Sequence, residues 1–127
     1  MEYAFEFGGG DPQDLTVTLA GCASAGGMRA LVRDLMSDAR FRAGMAILVD
    51  LSALDTAGLT PDEMQAMADA VSGRDWEFPA KAVALVAPSR RGFDAATLYR
   101  AHVGGSKSGR EVFRSREEAL AWLRDKG

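Results

Sequence analysis

Two segments near the start of the chain alternate between apolar and other residues. Aromatic side chains occupy every second position of residues 3–7, and leucine or valine does so in residues 15–19. A period of two is typical of a strand with one buried face. Residues 8–12 are rich in turn formers, and neither a helix start nor Gly-Lys-Ser follows their three glycines. The pattern therefore predicts a β-hairpin rather than a phosphate-binding loop.

Two later segments, residues 46–49 and 82–87, are apolar at every position. Strands without alternation bury both faces, as the interior strands of a parallel sheet do when helices cover it. A segment long enough for a helix separates the two, so we expect them to run parallel. A short final strand is predicted at Val112 and Phe113, at an edge of the sheet.

Amphipathic segments predict the first and third helices. From Gly26 the apolar residues recur at steps of three and four as far as Ala39. Residues 93–103 form a weaker helical pattern, with Leu98 and His102 on one side together with Tyr99. Residues 104–109 are predicted to be a flexible loop because glycine and serine dominate them.

Capping signals predict the starts of the second and fourth helices. Thr60 is placed to cap free backbone amides, and Pro61 suits the first helical position. Glu63 is spaced to bond back to the amide of the cap residue, which completes a capping box. A second capping box begins at Ser115 and precedes an apolar stripe that ends at Leu123.

The predicted elements follow the order ββαβαβαβα. One mixed β-sheet of an α/β fold, with a leading hairpin and three right-handed βα crossovers, satisfies this order. Neither a repeat nor a linker divides the chain, so we expect residues 1–127 to form a single domain. The order of the strands within the sheet is not readable from the sequence.

Composition narrows the class of protein. The 127 residues are 47% hydrophobic and 26% charged, as in ordinary globular proteins, and the formal net charge of -3 argues against a dedicated nucleic-acid binder. Cys22 is the one cysteine, so we expect it to be a small packing residue in an intracellular protein. No apolar run approaches the ~20 residues of a membrane span, and the acidic start lacks the basic region of a signal peptide. We therefore expect a cytoplasmic location.

Signatures of catalysis are weak. His102 is the one histidine, and no Gly-x-Ser-x-Gly elbow supplies a nucleophile for it. The acidic residues near the first apolar strand have no paired His or Cys ligands, which leaves weak Mg²⁺ binding as the alternative to no metal site. Neither Gly-x-Gly-x-x-Gly nor Gly-Lys-Ser follows a strand. We expect a non-enzymatic protein without a cofactor.

The candidate partner-binding site lies beyond the end of the first apolar strand. Asp50 is predicted to end that strand, and turn-forming residues follow it. In open α/β sheets, ligands and partners meet the loops at the carboxyl ends of the strands. The predicted site comprises Asp50, Ser52, Asp55, Thr56, Gly58 and Asp62.

Basic residues are concentrated toward the C-terminus. Seven basic and only two acidic side chains fall in residues 90–116. This asymmetry is compatible with a surface for an acidic partner, an anionic ligand or a membrane headgroup, but dispersed solvated charges are the favoured interpretation because the basic residues form no tight run. The candidate patch comprises Arg90, Arg91, Arg100, Lys107 and Arg110.

Three segments resemble a known family. They are the strands at residues 47–51 (ILVDL) and 83–88 (VALVAP) and the ending at residues 112–123 (VFRSREEALAWL). They look like the SpoIIAA-like proteins, small bacterial relatives of the STAS domains of anti-sigma-factor antagonists. The resemblance spans nearly the whole chain and implies a STAS-like fold. It also implies a protein-interaction module that binds a regulatory protein.

A shorter motif bears on regulation. Residues 55–59 (DTAGL) resemble the Asp-Ser-Ser-Gly-Leu segment of the antagonists, whose first serine is phosphorylated by a partner kinase. The resemblance places Thr56 at the phosphoacceptor position. Thr56 and Ala57 replace the serine pair, and the motif follows Asp50 more closely than is usual in the antagonists.

The same resemblance supplies a second hypothesis. SpoIIAA-like proteins share their architecture with lipid-binding SEC14-type domains, in which helices part from the sheet to admit a hydrophobic ligand. This implies a carrier or sensor of a small apolar ligand, held between the sheet and the second and third helices. A well-packed core is the favoured interpretation of the methionine-rich second helix, because a 127-residue domain has little spare volume. A homodimer through an edge strand or an apolar helix face is compatible with the sequence.

Overall fold

The computed structural model describes residues 1–8, 12–72, 82–102 and 109–126. Alternating apolar positions form the strands of the hairpin, and the two continuous apolar segments form interior strands. The strands are β1 (Glu2–Phe7), β2 (Leu15–Cys22), β3 (Ala46–Asp55), β4 (Ala82–Val86) and β5 (Gly109–Phe113). The helices are α1 (Ala25–Met36), α2 (Pro61–Ser72), α3 (Arg90–His102) and α4 (Arg116–Lys126).

The five strands form one mixed sheet in the order β1-β2-β3-β4-β5. The β1 and β2 strands pair antiparallel, and each later strand pairs parallel with the one before it. The predicted α/β class and element order are confirmed. The spatial order follows the chain order, so β3 is the central strand and β5 is an edge strand, as expected.

Helices cover the two faces of the sheet unequally. Apolar side chains of α1 pack with Ile47, Val83 and Leu85 on one face, and Tyr99 of α3 joins the same cluster. Helix α2 contacts both α1 and α3 and so lies in the same layer. On the other face, α4 packs Ala119 and Leu123 against β3 and β4. Three helices therefore share one face, and α4 lies on the opposite face.

The capping residues behave partly as the sequence predicts. Thr60 Oγ1 accepts a hydrogen bond from the Glu63 N–H at 3.1 Å, and Ser115 Oγ accepts one from the Glu118 N–H at 3.1 Å. The predicted return bond from the Glu63 carboxylate to its own helix cap is wrong. Glu63 Oε1 instead accepts from the backbone N–H of Ala25 at 2.7 Å, because α1 and α2 begin side by side.

Strand β3 is longer than expected. Its pairing with β2 continues to Asp55, whereas its pairing with β4 ends at Asp50, opposite Val86. The prediction that a loop begins after Asp50 is therefore wrong, because the backbone stays extended along β2. The register shifts between Thr18 and Ala20, so that β3 holds one residue more than β2 there, which is a β-bulge.

Four smaller expectations are also corrected. Helix α1 ends at Met36 with Ser37 as its C-cap, so Ala39 lies outside it and is exposed. Helix α3 begins at Arg90 rather than at residue 93. Leu98 is 57% exposed on α3, and the Cys22 thiol is also exposed rather than packed.

Candidate functional site

An apolar cavity of about 110 Å³ lies between the sheet and helices α1, α2 and α3. Every strand except β1 contributes to its lining, and so do all three of these helices. The lining is almost entirely aliphatic. Representative lining residues are Leu19, Leu31, Val49, Met64, Met67 and Leu85. Several of them also belong to the core cluster under α1, so the cavity lies inside the hydrophobic core.

Small residues on α3 leave this space open. Gly92, Ala95, Ala96 and Tyr99 all line the cavity, and their spacing places them on one face of the helix. Three of the four have little or no side chain, so the helix backbone faces the sheet across a gap that larger side chains would fill. The spacing of these three small residues is the signal by which the sequence could have predicted the gap.

The bulge in β3 adds a further apolar side chain to the cavity. Side chains along a strand alternate between the two faces, and Ile47, Val49 and Leu51 all line the cavity. The extra residue reverses the alternation, so that Leu54 also lines it. Without the bulge, Leu54 would lie on the face where α4 packs.

Three polar residues line the cavity within the described part of the chain: Thr56, Tyr99 and Arg110. Burial raises the pKa of the Tyr99 phenol to about 12, and the positive charge of Arg110 offsets this in part. The phenol is therefore protonated at neutral pH and can donate a hydrogen bond. The surface of the cavity is nevertheless almost wholly apolar, so these three residues contribute mainly carbon atoms to it.

The structure divides the predicted partner-binding residues between two places. Asp50 and Ser52 lie within β3, where Asp50 Oδ1 accepts from the Ser52 N–H at 2.9 Å and from its hydroxyl at 2.6 Å. Asp50 Oδ2 also lies 3.9 Å from the Arg116 guanidinium of α4. These contacts hold Asp50 to its neighbours.

The remaining residues of the predicted partner-binding site cluster at the connection from β3 to α2. Asp55 Oδ1 accepts from the Ala57 N–H at 2.9 Å, and Leu59 N–H donates to the Thr56 carbonyl at 3.2 Å, which closes a turn. Asp55, Gly58 and Asp62 are exposed, whereas Thr56 is half-buried and lines the cavity. Phosphorylation of Thr56 stays a prediction.

The predicted basic patch is spread along α3. Arg90 and Arg91 are exposed at the first turn, and Arg100 lies about ten residues away, or ~15 Å along the helix axis. Arg100 Nε donates to the Arg110 carbonyl at 2.8 Å, so those two residues are brought together. Lys107 lies outside the described residues, as do the His102 side chain and residues 104–108 of the predicted loop. The prediction that the loop includes Gly109 is wrong, because Gly109 begins β5 and pairs with Ala82.

A cluster of metal ligands or a membrane-spanning helix would change the class of site. Among the described residues, no group of three or more His, Cys, Asp or Glu side chains is placed to hold a metal ion. Within the same residues, no helix combines the length and the apolar character needed to cross a bilayer.

Comparisons with known proteins identify the fold. The chain matches no family model and no curated protein. A solved structure from Shewanella loihica PV-4, of an uncharacterized DUF3478-family protein with a SpoIIAA-like fold, matches with a TM-score of 0.58. The two chains are 19% identical, and the match covers 96% of this chain and 92% of that chain. The protein therefore has a SpoIIAA-like fold, and the resemblance seen in the sequence is confirmed at the level of fold.

Proposed function

We propose that this protein is a non-enzymatic binding protein that holds a small apolar ligand in the cavity between its sheet and helices α1–α3. The observation that carries the proposal is the cavity of about 110 Å³ with its aliphatic lining. Protein interiors are normally packed without voids much larger than a water molecule, so an open space of this size has a cost in stability. A bound ligand offsets that cost.

The size and lining of the cavity define the class of ligand. The volume exceeds the ~10–15 Å³ that a water molecule needs, but an aliphatic lining offers water few hydrogen bonds, and such cavities stay dry. A cavity of ~150 Å³ accepts benzene, so a smaller molecule, such as a short alkyl chain, suits this one. The SEC14-type domains to which the fold is related support the same class of ligand.

Butan-1-ol titration tests the proposal. We expect methyl NMR signals of Leu54, Met64 and Leu85 to shift in a saturable manner. Ala96→Leu fills the cavity from α3 and should weaken binding at least about tenfold, because the ligand and the new side chain compete for one volume. Ala101→Leu is the matched control, since Ala101 is exposed on the same helix, and should bind as the native protein does. Equal binding by both variants would place the ligand elsewhere, and no saturable shift at all would refute the proposal.

A second candidate function is regulation through a protein partner at the connection from β3 to α2. The observation that favours it is the end of β3, where residues 51–55 pair with β2 but extend beyond the last pairing with β4. A strand edge of this kind can accept a strand from another chain. The exposed Asp55, Gly58 and Asp62 lie beside it.

Site-specific photocrosslinking in the native cells tests this second candidate. Gly58 is exposed and a Cβ there meets no atom within 4 Å, so a benzoylphenylalanine at this position should extend into solvent and leave the fold intact. We expect a discrete adduct with one partner protein, lost on Asp55→Lys. The same probe at the exposed Glu6 of β1 is the control. An identical adduct pattern at both positions would exclude this surface. A homodimer stays a prediction, and an adduct with a second copy of the chain would support it.

A further inference from the structure

Solvent reaches part of the cavity lining at the carboxyl end of β3. Two groups of half-buried lining residues meet there. They are Leu51, Leu54, Thr56 and Leu59 in one group and Gly92 and Ala95 in the other. The first group follows Asp50, the last residue of β3 that pairs with β4. The second group lies in the first two turns of α3, the helix that follows β4. These six residues border the mouth of the cavity.

The mouth exists because β4 is shorter than β3. Pairing between the two strands ends at Asp50 and Val86, whereas residues 51–55 of β3 continue along β2. Within the described part of the chain, residues 51–55 therefore have a paired strand on one side only. Gly92 and Ala95 border the other side with little side-chain volume, which leaves the gap open.

Hydrogen bonds hold both ends of α3 beside the edge strand. Near the end of the helix, Arg100 Nε donates to the Arg110 carbonyl of β5 at 2.8 Å. At its start, Arg114 Nε donates at 3.0 Å to the carbonyl of Pro88, which precedes the helix. The Arg114 guanidinium also lies 5.5 Å from the centroid of the Phe93 ring. The helix is thus anchored on the side of β5, whereas its side toward β3 carries the small residues of the mouth.

The apolar lining decides which part of a ligand can enter. A polar group that loses its water without gaining a hydrogen bond is costly, so the interior suits an alkyl chain alone. A polar group at the mouth stays in solvent. We propose that the ligand is a single-chain amphiphile whose alkyl end enters the cavity through the mouth and whose polar head remains outside. This inference rests on the proposed function and adds the class of ligand and its route of entry.

Hexyl β-D-glucoside is the probe for the mouth. Its sugar ring carries hydroxyl groups and is larger than benzene, which already needs a cavity of ~150 Å³, so the head cannot enter this cavity of about 110 Å³. We expect the glucoside to shift the same methyl NMR signals as butan-1-ol, saturably and in competition with it. Methyl β-D-glucoside has the same head without the chain. It is the control and should leave these signals unchanged.

Two neighbouring alanines of α3 separate the mouth from the body of the cavity. Ala95 is half-buried at the mouth, whereas Ala96 is buried. Ala95→Leu should obstruct the mouth and weaken glucoside binding, relative to butan-1-ol binding, at least about tenfold. Ala96→Leu should weaken the binding of both ligands alike, because it fills the body that both chains occupy. Thr56→Phe, on the other side of the mouth, should act as Ala95→Leu does and replaces it if that variant is unstable.

The outcomes separate this inference from the proposed function. If the native protein binds butan-1-ol but not hexyl β-D-glucoside, the cavity is sealed, so the inference is wrong and the proposed function stands. If Ala95→Leu and Thr56→Phe keep the native ratio of the two affinities, the chain enters elsewhere, which also overturns the inference. If the native protein binds neither probe, the proposed function fails as well.

Discussion

The carboxylate of Glu63 accepts a hydrogen bond from the backbone N–H of Ala25 at 2.7 Å. Glu63 lies in the first turn of α2, and Ala25 is the first residue of α1. One side chain thus occupies the positive end of a neighbouring helix, where a negative charge is stabilised by free N–H groups. This contact joins the starts of two of the three helices that enclose the cavity.

Replacement of Glu63 tests that contact. We expect Glu63→Ala to lower the free energy of unfolding by about 1–3 kcal/mol, because a hydrogen bond to a charged group is lost at the end of a helix. Asp62→Ala is the control, since Asp62 is an exposed acid in the same turn and should cost only about 0.3–1 kcal/mol through the helix dipole. Urea denaturation measures both values. Equal losses for the two variants would mean that the contact between helices adds nothing.

The lowered pKa of the Asp38 carboxylate predicts that the stability of the protein depends on pH. The side chain of Arg40 and its backbone N–H bond to the Asp38 carboxylate and hold its pKa at about 2. An acid with a lowered pKa stabilises the folded state above its unfolded pKa of about 3.9, and that contribution disappears as pH falls toward 2. The stability advantage of the native protein over Asp38→Asn should therefore be constant above pH ~5 and shrink between pH ~4 and ~2. Urea denaturation across this range measures it, and a constant advantage down to pH ~2 would contradict the assignment.

Two helical glycines should respond differently to substitution. A Cβ at Gly26 meets only the end of the Arg29 side chain at 3.9 Å, so Gly26→Ala should raise the free energy of unfolding by about 0.4–1 kcal/mol. A Cβ at Gly92 lies 2.9 Å from Ser89 Oγ, which caps α3 by accepting from the Gly92 N–H. Gly92→Ala should leave the free energy of unfolding nearly unchanged. Loss of the cap costs about 1 kcal/mol, which cancels the stabilisation gained when alanine replaces glycine. Thermal denaturation measures the change in stability of both variants. A similar gain in stability for both would show that Ser89 tolerates the new methyl group.

Substitutions on the two faces of β3 should separate effects on stability from effects on ligand binding. Leu48 is fully buried under α4, so Leu48→Ala should cost about 2–5 kcal/mol without changing the affinity of the folded protein for butan-1-ol. Ile47 lines the cavity on the other face. Ile47→Val should cost only about 0.5–1.5 kcal/mol and should favour longer alcohols, because it enlarges the cavity. Denaturation and NMR titration together measure both effects, and a change in ligand preference caused by Leu48→Ala alone would reverse the assignment of faces.

Local pattern in the sequence determined the elements of the fold. Alternation at residues 3–7 and 15–19, continuous apolar segments at 46–49 and 82–87, and caps at Thr60 and Ser115 all specify backbone states through near neighbours. These signals were sufficient for the element order and the α/β class. The SpoIIAA-like fold was also predictable, because the quoted strand and helix segments resemble that family.

Only the tertiary structure decided where the site lies, because the site depends on contacts between residues distant in sequence. The bulge in β3 arises from its register against β2, and it alone turns Leu54 toward the cavity. Glu63 caps α1 rather than its own helix because the two helix starts lie side by side. Arg110 belonged, by sequence, to a diffuse basic segment, and only its register with Val83 places it among the residues that line the cavity.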